Sequence, residues 1–438
     1  MTATTSSDKV TSSSRRAAIG SFIGSTVEWY DFYVFTIAAA FLMGPLFFPL
    51  SENPFIGVMA AFATHAVGFF VRPLGALVFG HMGDRVGRKK ILVTTLLLMG
   101  VATFFIGLLP TYEQIGMAAP VILVALRLLQ GFAVGGEWGG AVLVAVEHAP
   151  ARRRTFLGSF AQLGSSAGSL LATGSFALLS LVGEDFLING GWRIPFLLSA
   201  VMVVIGLAIR MKVDESPVMT ELQRTEGVSQ RPAVEAVRGS WRQILMGIGL
   251  LSVGVGGYYV VTSFVITYGT VDLGLSESML LNAITVASLA EFLTVPVLAL
   301  LGDRIGARRV IGWSMLLVAV ASIPLFGLMA TGSVVLIWGV MCVVRIGMAG
   351  SYGLVGSVLA ESFPARTRYT GISLTYQLCA MIFGSMSALV ATGLLALTGS
   401  PWSVVGYLVA MCVLGAVCNR GLSRYGHHMD AVERSAGA

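Results

Sequence analysis

The sequence predicts an all-α polytopic membrane protein: twelve transmembrane helices in two six-helix pseudo-repeats around a central cavity. Three observations carry that reading. The 438 residues are 55% hydrophobic and only 11% charged, against about 25% charged in a soluble domain, and a soluble surface could not cover so much apolar side chain. The apolar residues gather into stretches that each reach the roughly 20 residues needed to cross a bilayer. Landmarks of the first half return, in order, in the second.

The twelve stretches run 17–48, 55–80, 91–110, 117–146, 156–182, 192–211, 243–270, 277–301, 310–330, 333–360, 369–397 and 402–420. The first follows a Ser/Thr-rich lead ending in Arg15 and Arg16. It is too long for the apolar core of a signal peptide, so 1–16 reads as an uncleaved, disordered cytoplasmic tail. Stretches two and three are joined by a tight loop holding Arg85, Arg88, Lys89 and Lys90. Stretch four leads into Arg152, Arg153 and Arg154, and stretch six ends at Arg210 and Lys212. The polar segment 212–242 reads as a central cytoplasmic loop between a bundle at 17–211 and a second at 243–420. In the second bundle the basic residues are Arg304, Arg308 and Arg309, then Arg366 and Arg368, then Arg420, Arg424 and Arg434, with 421–438 a cytoplasmic tail.

All but four of the 28 Lys and Arg residues fall on one side of this alternation. Arg193 is on the other side, and Arg72, Arg127 and Arg345 lie within spans. By the positive-inside rule the basic side is cytoplasmic, which puts both termini there and requires an even number of spans. Scattered short basic loops, with no basic patch or stripe, exclude a nucleic-acid partner; the partner is the lipid bilayer. The four cysteines (Cys342, Cys379, Cys412, Cys418) form no CxxC pair and read as small buried hydrophobes, not as a metal site or disulfide framework. There is no nucleophile–base pair and no phosphate loop, so the chain does not read as an enzyme.

The repeat is specific. Gly83-Asp84-Arg85-Val86-Gly87-Arg88-Lys89 returns as Gly302-Asp303-Arg304-Ile305-Gly306-Ala307-Arg308. Arg127 returns as Arg345, and the Glu147, Pro150, Arg154 spacing returns as Glu361, Pro364, Arg368. Parallel six-helix halves are a transporter architecture, with the substrate between the halves near mid-membrane.

At these residues the chain resembles the major facilitator superfamily, whose signature between helices 2 and 3 matches Gly80-His81-Met82-Gly83-Asp84-Arg85-Val86-Gly87-Arg88-Lys89-Lys90. Glu28-Trp29-Tyr30-Asp31-Phe32, Arg72-Pro73-Leu74-Gly75, Gly135-Gly136-Glu137-Trp138-Gly139-Gly140 and Glu215-Ser216-Pro217 further resemble its metabolite:proton symporters. The resemblance spans about 17–420. It implies uptake of a dicarboxylate, tricarboxylate, keto acid, shikimate, proline or betaine with protons, in a bacterial cytoplasmic membrane. The energy source is then a proton gradient, with no cofactor, and the working unit a monomer. The helix 5 segment from Gly158 to Gly168 lacks the proline motif usual in the superfamily's antiporters, which favours symport over efflux of amphipathic compounds. A transporter-like sensor is disfavoured because no long soluble stretch is present.

Charges inside the spans pick out function independently, since each costs about 2.5–3.5 kcal/mol at a helix centre. Glu28 and Asp31 share a face of helix 1; two close carboxylates resist simultaneous ionisation, which suits a proton carrier. The alternative is permanent pairing with arginine. Arg127 is the expected partner, or it grips a substrate carboxylate in two-pronged geometry. Arg345, its repeat mate, is the first choice for substrate contact. Glu137 is a second proton site, or it is bridged to Arg72. Glu291 is either a structural partner or part of the pathway. His65 shares a face with Arg72 and titrates near neutrality, though a lone histidine is more often a packing residue. Tyr258, Tyr259, Thr262, Tyr268, Tyr376 and Gln377 suit a polar aromatic wall or plain packing. Gly254, Gly256 and Gly257 leave helix 7 bendable.

The resemblance further implies that Asp84, with Arg85 and Arg88, latches the two halves at the cytoplasmic end, with Asp303 and Arg304 as a weaker copy. Glu147, Arg154, Glu361 and Arg368 are the expected partners. Substrate choice stays open: three buried arginines suit an organic anion, and four buried acids also suit a zwitterion.

Overall fold

The computed structural model describes residues 10–49, 54–225, 227–384 and 386–425. Among them there is no strand, and ten helices are long and apolar enough to cross a membrane. Two more complete twelve crossings. In chain order these are α1 (Ser12–Phe41), α2 (Pro54–Val86), α3 (Arg88–Leu108), α4 (Ala118–Glu147), α5 (154–180), α6 (Arg193–Met211), α7 (Trp241–Asp272), α8 (Glu277–Ile305), α9 (Ala307–Met329), α10 (Val334–Ser362), α11 (Ala365–Thr398) and α12 (Trp402–Leu422).

The two additional helices, α1 and α5, are long but comparatively polar, with Glu28, Asp31 and repeated serines. They pack mainly on each other, so these polar side chains turn inward and not to lipid. The approach is close: a Cβ on Gly164 would stand 2.6 Å from Ser25 Cβ, and one on Gly168 2.6 Å from the Tyr30 amide nitrogen.

Within the first six helices α1 also meets α6, α2 packs on α4, and α3 on α6. Within the last six α8 and α9 pack on α10, and α12 on α7 and α9. Across the divide α2 lies along α11, and α8 along α5. The basic turns all gather at one end of the bundle. Gly87 (φ 129°) and its repeat mate Gly306 (φ 101°) make the α2–α3 and α8–α9 turns, a left-handed conformation that glycine tolerates and a side chain resists.

Two expectations change here. α1 starts at Ser12 because Thr11 caps it, accepting from the Ser14 amide at 3.1 Å, so 12–16 are helix and not tail. Residues 1–9 and the 426–438 portion of the C-terminal tail lie outside the described residues. The central segment holds two short helices, Pro217–Arg224 and Pro232–Gly239, and the second touches both α2 and α11 beneath the basic end.

Candidate functional site

A cavity lies between the halves. Helix α1 supplies Trp29, Phe32 and Tyr33, and α2 supplies Phe69 and Arg72. From α7 come Tyr258 and Tyr259, from α8 Ser288 and Glu291, and from α10 Arg345 and Tyr352. One wall is a polar stripe of α5, Gln162, Ser165, Ser166 and Ser169, whose spacing puts all four on one helix face. α7 opens into wider π-helical turns at Val253–Gly257 and Val260–Phe264, which bracket the two tyrosines.

Arg345 is ion-paired to Glu291, and its guanidinium lies 4.5 Å from the Tyr258 ring centre. Arg72 instead stacks over Phe69 at 4.1 Å and Phe32 at 5.4 Å, and its buried Nε has no hydrogen-bond partner among the described residues. Cation–π contacts of this kind reach about 2 kcal/mol when dry. The halves meet beside the cavity through a 3.1 Å hydrogen bond between the Tyr33 and Tyr258 hydroxyls. The floor toward the basic end is aromatic. Trp138 stacks on Tyr376 at 4.2 Å, and the Tyr352 hydroxyl donates to that of Tyr376 at 2.9 Å.

A second, inner cavity of about 410 Å³ lies wholly within the first half. Glu28, Arg127 and Gln130 line it, and Trp29, Phe32 and Arg72 line both cavities. The three first-half acids part company here. Asp31 accepts from Thr103 Oγ1 at 2.7 Å and from Ser199 Oγ at 2.5 Å. Its link to Arg127 runs through side chains: Arg127 donates to Gln130, which donates to Thr103 at 2.7 Å. Arg127 also lies over the Phe35 ring at 3.7 Å. Glu137 is clamped to Arg210 of α6 and accepts from Thr95 Oγ1 at 2.6 Å. The expected bridge to Arg72 is therefore replaced by one to Arg210, which reads as a loop residue by sequence but is buried. Glu28 is only 5% exposed, and its Oε2 has no hydrogen-bond partner.

Other expectations also shift. Gln377 lies below the cavity, donating to the Val134 carbonyl at 3.3 Å across the two halves. Tyr268 stacks with Phe264 away from the cavity, and Thr262 donates to the Tyr258 carbonyl of its own helix. The side chain of His65 lies outside the described residues. Sequence reasoning missed Tyr33, Trp138, Tyr352 and the α5 stripe; the stripe's i, i+3, i+4, i+7 spacing was the available signal.

At the basic end Asp84 of α2 caps α11 of the other half. Its carboxylate accepts from the Tyr369 amide at 3.1 Å, the Thr370 amide at 2.8 Å and Thr370 Oγ1 at 2.9 Å. A carboxylate at a helix N-terminus is favoured by the orphan amides and the helix dipole. Asp303 of α8 does the same for α5, accepting from the Thr155 amide at 2.8 Å and the Phe156 amide at 3.1 Å. Glu147 is the hub beside them. It pairs with Arg88 of its own half and with Arg368 of the other, Arg368 Nη1 donating at 2.9 Å, and it accepts from Ser216 Oγ. Glu215 caps α3, accepting from the Arg88 amide at 3.1 Å. Arg154 is buried at the first residue of α5 and Glu361 half-buried near the end of α10. Arg85 and Arg304 are exposed and take no part in the caps.

Comparison with known proteins agrees with this architecture. A family model described as Major Facilitator Superfamily matches residues 21–385 and 261–422. The shikimate transporter of Escherichia coli (strain K12) is 39% identical over 414 residues, covering 93% of this chain and 94% of that protein. The inner membrane metabolite transport protein YhjE of the same organism is 36% identical, covering 92% of each. Its proline/betaine transporter is 33% identical over 413 residues, covering 92% of this chain and 82% of that one. Among solved structures, the proton:xylose symporter XylE bound to 6-bromo-6-deoxy-D-glucose aligns with a TM-score of 0.75, covering 97% of this chain and 100% of that one, at 16% identity. That last likeness is one of fold.

Proposed function

The chain belongs to the major facilitator superfamily and is a multi-pass membrane transporter, and from that premise we propose that it takes up a small hydroxylated ring carboxylate, of the shikimate kind, together with protons. The single observation that carries this reading is the charge of the central cavity. Arg345 is neutralised by Glu291, whereas Arg72 has aromatic rings about it and, among the described residues, no ion pair. A guanidinium so placed attracts one carboxylate, which it can grip with two parallel hydrogen bonds. The α5 stripe Gln162, Ser165, Ser166 and Ser169 offers partners for ring hydroxyls, and Tyr258 and Tyr259 offer faces for the ring. The 39% identical relative carries the name of a shikimate transporter.

The chain works as a monomer with its basic end, and so both termini, in the cytoplasm, powered by the proton gradient. The latched basic end corresponds to a state closed toward the cytoplasm. Rocking of one half against the other then exposes the cavity to each side in turn. The aromatic lining supports a second reading, because such boxes also hold quaternary ammonium groups, and a proline/betaine transporter is among the relatives.

Uptake into proteoliposomes under an inward proton gradient separates these readings, with radiolabelled shikimate, 2-oxoglutarate, citrate, proline and betaine. Accumulation of shikimate, lost in Arg72→Ala, is the expected result. Accumulation of betaine but no anion would replace the first reading with the second. Export of a preloaded compound against proton entry would make the protein an antiporter.

A further inference from the structure

We infer that Arg72 is shared between Glu28, as a proton-binding carboxylate, and the carboxylate of the substrate, so that one guanidinium couples the two events. The inference rests on the proton-coupled uptake proposed above and names the residue pair that performs the coupling.

Two cavities meet at one side chain. The central cavity opens between the halves and the inner one lies inside the first half, and Arg72 is the charged residue in the walls of both. Glu28 lines only the inner one. The two acids nearest it in the first half are occupied: Asp31 by two hydroxyls, Glu137 by Arg210 and Thr95. Glu28 alone among these three keeps a buried carboxylate oxygen with no hydrogen-bond partner.

The charges around Glu28 come from four helices. They are Asp31 on its own helix, Arg72 on α2, Glu137 on α4 and Arg210 on α6. Tyr352 of α10 and Tyr376 of α11 face it from the other half. Arg127 of α4 lines the same pocket and acts electrostatically on Asp31 and Arg72. Glu137 is ion-paired to Arg210, and Asp31 is linked to Arg127 through Thr103 and Gln130. What remains is Glu28 against Arg72.

That remainder has two neutral states. In one, ionised Glu28 balances Arg72 and the central cavity holds no anion. In the other, Glu28 carries a proton and Arg72 is balanced by a substrate carboxylate. The mixed states leave a net charge in a desolvated pocket, which is unfavourable. Proton and anion therefore bind each other's state more tightly, and the coupling is reciprocal. One proton enters with each monoanion, so no net charge crosses. The proton bonds to a Glu28 carboxylate oxygen on one side and leaves from it to water on the other.

The test uses the purified full chain with shikimate as the probe. Calorimetric titration in buffers of different ionisation enthalpy counts protons taken up on binding. About one proton per shikimate is expected in the wild type above the pH at which Glu28 ionises. Glu28→Gln should take up none and bind with an affinity independent of pH. In proteoliposomes that variant should still exchange shikimate in counterflow yet lose gradient-driven accumulation. Proton uptake and accumulation that survive Glu28→Gln, or that vanish in Asp31→Asn with Glu28→Gln unaffected, overturn the inference and leave symport standing. Should Glu28→Gln fail to fold, Glu28→Asp carries the test: its midpoint for proton uptake must move, and an unmoved profile overturns the inference. A wild type that accumulates none of the screened anions overturns the transport reading first.

Discussion

Asp84 shows how much one carboxylate contributes when its partners are backbone amides. It accepts three hydrogen bonds from the first turn of α11 and is 1% exposed. Asp84→Asn removes the charge that favours the helix N-terminus, and it turns an amide donor toward two other donors. The expected loss is about 1–3 kcal/mol of closure at the basic end, or roughly five- to 150-fold in the open-to-closed ratio. Maleimide labelling of a cysteine placed at Ser373, in a background without the four native cysteines, reads that opening as a faster rate; an unchanged rate would deny the cap its role as a latch. Sequence singled out Asp84 as a latch candidate with charged partners; Arg88 does lie 3.9 Å from it, but the hydrogen bonds of Asp84 across the seam are to Tyr369 and Thr370. The amides of Tyr369 and Thr370 leave no trace in residue type, because every residue but proline carries one. For the same reason Glu137 was legible as a costly buried charge, while Arg210, eighteen residues into α6, was counted among the loop residues. Helical periodicity tells which residues share a face, not which helix that face meets.

At the scale of elements, the membrane spans were legible because apolar length is a strong local signal. The α1–α5 contact was not, since it depends on glycines whose meaning appears only when two helices touch. A Cβ at Gly168 would lie 2.6 Å from the Tyr30 amide nitrogen and 2.7 Å from the Thr26 carbonyl oxygen. Gly168→Val should therefore push α1 and α5 apart at a cost of at least about 1–3 kcal/mol. Fluorescence-monitored thermal unfolding in detergent should report a lower midpoint than for Gly174→Val on the same helix, where an added Cβ meets nothing within 4 Å. Equal midpoints would mean that the helices adjust freely. The same close packing ties α1, which carries Glu28 and Asp31, to α5, which carries the hydroxyl stripe, so the two helices move as one unit. α7 is different. Glycines 254, 256 and 257 read as a bendable stretch, and the helix does widen into a π-helical turn at Val253–Gly257, just before Tyr258 and Tyr259 reach the cavity.

The whole molecule is held at its basic end by a pseudo-symmetric pair of caps, Asp84 on α11 and Asp303 on α5, with Glu147 as a hub beside them. The repeat of the Gly-Asp-Arg turn made the caps foreseeable, and the two copies differ in that Ala307 stands where Arg88, a partner of Glu147, stands in the first. Glu147 there meets Arg88 and Arg368, all three side chains fully buried. Arg88 and Arg368 come from opposite halves, so Glu147 is what lets two guanidinium groups approach across the seam. In Glu147→Gln two buried cations would share only Asp84, 3.9 Å from Arg88, as a nearby carboxylate, and losing one partner of a buried ionic network costs about 3–5 kcal/mol. The transporter can relieve that strain without unfolding, by parting the halves at this end. The variant should therefore populate the state open at the basic end, with spin labels on the α2–α3 and α10–α11 turns moving apart in double electron–electron resonance distance distributions. Asp303→Asn, which disturbs a half-exposed cap of two bonds, should shift the distribution less than either Asp84→Asn or Glu147→Gln. If the Glu147→Gln distances match the wild type while its thermal midpoint falls, the hub stabilises the fold and does not set the balance between the two open states.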